Sequence, residues 1–204
     1  MSIIKKNPGK IKKLFQNIPI PGWLFSLVTV VYCEVLLHLW TMNDFSIGRF
    51  AAVVLFALGF GGLLGQIAGF IGHRTWGKWV TAALAAVVSV FYIVEYFVND
   101  DYQSFMPMRM LLGGAKGVTT DFGGVVVSLV LNGFWRILVM LLPALLYALL
   151  ARPVRTTWKT RWFLLAGAVA AYLLGFGVVR GAGTDAARLS DAYNFDSAVR
   201  VFGL

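Results

Sequence analysis

The chain has 204 residues, 59% hydrophobic and only 13% charged, with a formal net charge of +9. A soluble domain carries about 25% charged residues, so this composition excludes an ordinary water-facing surface. Nucleic-acid binding needs a solvated basic face with interleaved aromatics, whereas the cations here lie in short stretches between apolar runs.

Residues 1–20 form a basic leader with Lys5, Lys6, Lys10, Lys12 and Lys13 and no acid, closed by Pro19 and Pro21. An apolar run follows from about Gly22 to Trp40. A basic start ahead of an apolar run also describes a signal peptide. Here Glu34 and His38 interrupt the run, no small-x-small cleavage site follows, and further runs come after it. It therefore reads as a retained membrane helix. Crossing ~30 Å of hydrocarbon takes roughly 20 apolar residues at about 1.5 Å per residue. Later runs of that order cover about Phe50 to Ile71, Trp79 to Phe97, Val125 to Leu150 and Trp162 to Val179. The ~10-residue alternating segments of a barrel are absent. The segmentation predicts an all-α polytopic membrane bundle of about five transmembrane helices plus a short interfacial helix. Cys33 is the only cysteine, so no internal disulfide is available.

Short basic loops stay on the cytoplasmic side. The leader, the turn with Arg74 and Lys78, and the turn with Arg152, Arg155, Lys159 and Arg161 hold eleven basic residues and no acid. The opposite set, 42–49, 99–124 and 180–204, holds six basic residues and seven acids. This segregation predicts a cytoplasmic N-terminus, an odd number of crossings and an external C-terminal tail. The organisation expected is a leader over 1–20, a membrane domain over 21–180 with an external segment over 99–124, and an external linker over 181–204.

Small residues recur every four positions in the second run, at Gly61, Gly65 and Gly69, and again in the fifth, at Gly167, Ala171 and Gly175. Such spacing makes grooves for close helix packing. In the fourth run Ser128, Asn132 and Arg136 follow at i, i+4 and i+8, on one helical face. If that helix begins near Val125, Arg136 lies ~17 Å into the membrane and needs a partner or a wet cavity. Glu34, with His38 one turn beyond it, and Glu95 are the carboxylates within the spans. Two readings follow: a buried ion pair that fixes helix packing, or a polar cavity open to the outer leaflet that holds a lipid head group. The stretch from Phe105 to Leu112, apolar around Arg109, suits a short interfacial helix. No metal-spaced His–carboxylate cluster, Gly-x-Ser-x-Gly or phosphate loop is present, so no catalytic residue and no cofactor are assigned to this chain.

Five spans, a basic leader and an outward tail are similar to the membrane half of the lipoteichoic acid synthase-type phosphoglycerol transferases. These are sulfatase-like enzymes of Gram-positive bacteria. The residues that carry the resemblance are Phe91-Tyr92-Ile93-Val94-Glu95-Tyr96-Phe97 with Asp101-Tyr102-Gln103-Ser104-Phe105, and the tail Ala192-Tyr193-Asn194-Phe195-Asp196-Ser197-Ala198-Val199. The resemblance implies an extracellular catalytic domain of the same polypeptide, with a threonine nucleophile and a divalent metal, usually manganese. That domain transfers glycerol phosphate from phosphatidylglycerol to a cell-envelope polymer, and none of its residues lies in this chain. The expected role of these 204 residues is then to anchor that domain and handle an anionic phospholipid at the outer face. The alternatives are a small transporter or substrate-capture subunit using the same polar cavity, and a membrane scaffold without a ligand.

Overall fold

The computed structural model describes residues 18–41, 47–71, 76–102, 131–152, 154, 156–181 and 199. Five helices stand out: α1 (Gly22–Thr41), α2 (Ile47–Ile71), α3 (Gly77–Tyr102), α4 (Phe134–Leu150) and α5 (Trp158–Gly181). All but α4 are long and apolar enough to cross a membrane. The protein is an all-α membrane bundle, as the apolar segmentation predicts. Four serine and threonine hydroxyls within the spans are satisfied on their own helices: Ser26 donates to the Gly22 carbonyl, Thr29 to Phe25, Thr41 to Leu37 and Thr81 to Gly77, at 2.7–3.0 Å. In hydrocarbon such i−4 bonds replace the water that a hydroxyl would otherwise need.

The fourth helix differs from expectation. Residues 131–132 are helical, but Gly133 forms a turn, and α4 proper runs for 17 residues from Phe134. The expected start near Val125 lies outside the described residues, as do the leader as far as residue 17 and residues 103–124 of the interfacial segment. Pro143 sits inside α4 without ending it. A proline has no N–H for the carbonyl four residues earlier, here that of Val139. The Tyr32 hydroxyl of α1 donates to that carbonyl at 3.0 Å. A cross-helix bond thus replaces the missing backbone one, as an apolar solvent requires.

The helices pack in the order α5–α2–α1–α3–α4 and alternate in direction. Four contacts fix the alternation. Ile18–Pro19 (β1), just before α1, pairs in parallel with Ala151–Arg152 (β2), just after α4. The Arg161 guanidinium at the start of α5 donates to the Gly69 carbonyl near the end of α2 at 3.1 Å. Arg136 near the start of α4 meets Asp100 near the end of α3 at 3.6 Å. Val179 near the end of α5 packs with Ala52 and Phe56 near the start of α2. The bundle accordingly has a β-paired end, which gathers β1, β2, Gly69 and Arg161, and an opposite end with Asp100, Arg136 and Val179.

Glycines set the close approaches. A Cβ on Gly61 would lie 2.9 Å from the Leu27 Cα, and one on Gly65 2.9 Å from the Trp23 carbonyl oxygen, so α1 and α2 meet backbone to backbone. Gly69 faces Thr156, and Gly175 lies under the Phe56 ring. Gly167 departs from the expectation of a packing residue: nothing among the described residues lies within 4 Å of its Cβ position, although Ala171 in the next turn is buried. The α2–α5 contact uses Gly59 against the Tyr172 ring and Gly62 against Ala168 instead. The core nearer the opposite end joins Cys33, Leu37, Tyr92, Ile93, Tyr96 and Met140, and Val199 of the tail is buried with them.

Candidate functional site

On α1, Cys33, Glu34, Leu37 and His38 recur at helical spacing and are buried, while α3 buries Ser89, Tyr92, Glu95, Tyr96 and Asn99. These two faces meet. The Tyr92 hydroxyl donates to Glu34 Oε2 at 2.5 Å. His38 Nδ1 lies 3.2 Å from Glu34 Oε1 and 3.2 Å from the Glu34 carbonyl oxygen, so a hydrogen on Nδ1 serves either acceptor. His38 Nε2 is buried without a hydrogen-bond partner among the described residues. Cys33 Sγ is 3.8 Å from Ser89 Oγ. Glu34 is 1% exposed and Glu95 fully buried, which makes this a closed polar seam and not an open cavity. Among the described residues no group of three or more His, Cys, Asp or Glu side chains is gathered as a metal would need.

Arg136 belongs to a different cluster. Its partner is Asp100, not Glu34 or Glu95. Asp100 stands 23 residues along α3 from Gly77, roughly 35 Å at 1.5 Å per residue, beyond ~30 Å of hydrocarbon. The midplane position expected for Arg136 rests on a helix beginning near Val125, outside the described residues; the described α4 starts at Phe134, and the pairing with Asp100 sets Arg136 at one end of the bundle. The guanidinium stacks 5.0 Å from the Tyr96 ring centroid and 5.3 Å from that of Trp135. Trp40 closes the arrangement edge-on to both, at 5.5 Å from Tyr96 and 5.5 Å from Trp135. Arg136 is 34% and Asp100 51% exposed, so this pair is partly open and not sealed in the helix core. Rings over a guanidinium hold its plane by cation–π attraction, and Trp and Tyr favour the membrane interface for their own sake.

Of the expected Ser128–Asn132–Arg136 face, the described residues include only the last two. Asn132 is exposed and set off from Arg136 by the turn at Gly133, and Ser128 lies outside the described residues. Sequence reasoning missed Tyr92, Asp100, Trp40 and Trp135. A signal existed for the last two, since aromatics near the ends of apolar runs mark interfaces. None existed for the Tyr92–Glu34 bond, which depends on how α1 and α3 are rotated. No protein-family model, curated protein or solved structure matches this chain.

Proposed function

We propose that this chain is a membrane-anchoring, lipid-handling unit whose Arg136 engages the phosphate of an anionic phospholipid at the outer face of the cell membrane. In the same reading it is the membrane half of an enzyme resembling lipoteichoic acid synthase, with phosphatidylglycerol as the lipid. The observation that carries it is the setting of Arg136: paired with Asp100 near the end of α3, one-third exposed and clamped between Tyr96 and Trp135. A guanidinium offers five N–H donors in a fixed fork, and Asp100 engages one end of it through Nη1. The remaining donors suit a phosphate, which guanidinium binds in bidentate fashion. The acid-free basic loops support a cytoplasmic leader with this cluster at the outer face.

The test is photo-crosslinking with a phosphatidylglycerol analogue in nanodiscs, with labelled residues mapped by mass spectrometry. Label is expected near residues 96–100 and 135–136. In Arg136→Ala it falls about tenfold there, the equivalent of roughly 1.4 kcal/mol for one lost charge-assisted bond. Arg136→Lys recovers part of it. Undiminished label in folded Arg136→Ala overturns the head-group role, as does equal competition by phosphatidylcholine. The enzymatic half has its own test in the gene beyond codon 204: an in-frame sulfatase-like domain supports it, and a stop codon there removes it.

A further inference from the structure

The β-paired end carries a second arginine with a different environment. Arg161, in the first turns of α5, donates from Nη2 to the Gly69 carbonyl at 3.1 Å and stacks 5.1 Å from the Phe70 ring centroid. Its Nε is buried without a hydrogen-bond partner among the described residues, and so is the Oγ1 of Thr156, which packs on Gly69. Gln66 donates to the Arg161 carbonyl at 2.6 Å and ties the α5 start to α2. A cavity of about 260 Å³ opens beside this arginine, lined by Gln66, Phe70, Trp158, Arg161, Trp162 and Leu165. Trp158 and Trp162 stand edge to face at 5.7 Å and are both exposed. The cavity therefore joins one cation and two interfacial tryptophans to an apolar wall.

Among the described residues no carboxylate pairs with Arg161. The chain has no Asp or Glu in residues 1–33, 45–94 or 122–184, the stretches that supply this end. Arg152, Arg155 and Lys159 add further positive charge close in sequence. Arg136 has Asp100; Arg161 has only backbone carbonyl and ring as partners among the described residues. Basic pockets between membrane helices on the basic side select anionic lipid head groups. Here the selectivity comes from the charge imbalance, and the lipid preference comes from the apolar wall, which a free phosphate would leave exposed.

We propose that the cavity at the β-paired end of the α2–α5 interface binds the phosphate-bearing head group of an anionic phospholipid in the leaflet at that end, with Arg161 as its cation. This site is separate from the Arg136 cluster, which lies at the opposite end of the bundle. Its occupant holds α5 against α2 where the two helices converge on Gly69.

Native mass spectrometry of the full chain, released from micelles holding equal phosphatidylglycerol and phosphatidylcholine, reads the site. The chain is expected to retain phosphatidylglycerol preferentially, and Arg161→Gln to lower that retention about fivefold, the share of one basic side chain near an anionic surface. The same drop is expected on an Arg136→Ala background, so failure at one end is distinguishable from failure at the other. Leu165→Trp fills the cavity while leaving the charge, and it should displace the lipid as well. Arg161→Lys, which keeps the charge, should restore most of the retention. Unchanged retention in either Arg161→Gln or Leu165→Trp overturns the proposal. So does displacement of the lipid by millimolar inorganic phosphate, which would make the site one for a free anion.

Discussion

Glu34 stands 12 residues into α1 from Gly22, roughly 18 Å at 1.5 Å per residue, well inside the apolar span. A carboxylate at that depth is tolerable only with close partners, and Tyr92 and His38 supply them at 2.5 and 3.2 Å. The energetics are asymmetric. Removing one member strands the other, whereas replacing both by apolar groups of similar shape leaves nothing unsatisfied. Tyr92→Phe is therefore expected to destabilise the purified protein by about 1–3 kcal/mol. Glu34→Leu should also destabilise, by leaving the Tyr92 hydroxyl buried and alone. The double variant should regain much of the loss. Thermal unfolding in detergent, analysed as a double-mutant cycle, checks this. Strict additivity would show that the two side chains do not depend on each other. A coupled pair that changes stability while lipid labelling near Arg136 stays constant would assign Glu34 to packing, the reading of the buried carboxylates as a structural tie.

Among the elements, α4 shows how one residue on a helix dictates another on its neighbour. Pro143 frees the Val139 carbonyl, and Tyr32 of α1 captures it. Tyr32→Phe is expected to cost about 1 kcal/mol, the net worth of an ordinary hydrogen bond. On a Pro143→Ala background the cost should shrink, since the backbone N–H of residue 143 then serves Val139; an equal cost in both backgrounds would refute the coupling. The glycines of α2 give a sharper contrast. At Gly61 and Gly65 an added methyl meets backbone at 2.9 Å, which cannot step aside without separating α1 from α2. Gly61→Ala and Gly65→Ala should lower the melting temperature clearly. Gly167→Ala, which meets nothing within 4 Å among the described residues, should be neutral or gain up to about 1 kcal/mol from helix propensity. A melt series in one detergent decides between these outcomes. The four-residue spacing of Gly61, Gly65 and Gly69 was legible in the sequence as a packing face, because small residues at that period have few other uses in a span. Which glycines face α5 was not legible. Gly59 and Gly62 lie off that stripe, and only the rotation of α2 brings them to Tyr172 and Ala168. The start of α4 was hidden for a related reason: Val125 to Leu150 reads as one largely apolar run, and mean hydropathy does not register the turn at Gly133.

For the whole molecule, charge and contact geometry are two independent routes to the same partition. The sequence divides its loops into an acid-free basic set and a mixed set, and the alternating helices gather Ile18–Pro19, Ala151–Arg152 and Arg161 at one end and Asp100 and Arg136 at the other. Four helices separate β1 from β2, an even number, so their pairing agrees with the alternating direction of the intervening helices. The partition was legible because positive charge is distributed by topology, not by fold detail. It also carries a prediction, since the cytoplasmic side should be the β-paired end. Cys33 is fully buried, so on a Cys33→Ala background new cysteines report position cleanly. Ile47 is 80% exposed at the Arg136 end, and Lys159 is exposed at the β-paired end. In intact cells a membrane-impermeant maleimide should react with the Ile47→Cys variant and reach the Lys159→Cys variant only after permeabilisation. The reverse pattern would turn Arg136 towards the cytoplasm and remove its proposed role at the outer face. It would leave the Arg161 site standing, because that site is defined by the charge and shape of one end of the bundle and not by the compartment it faces.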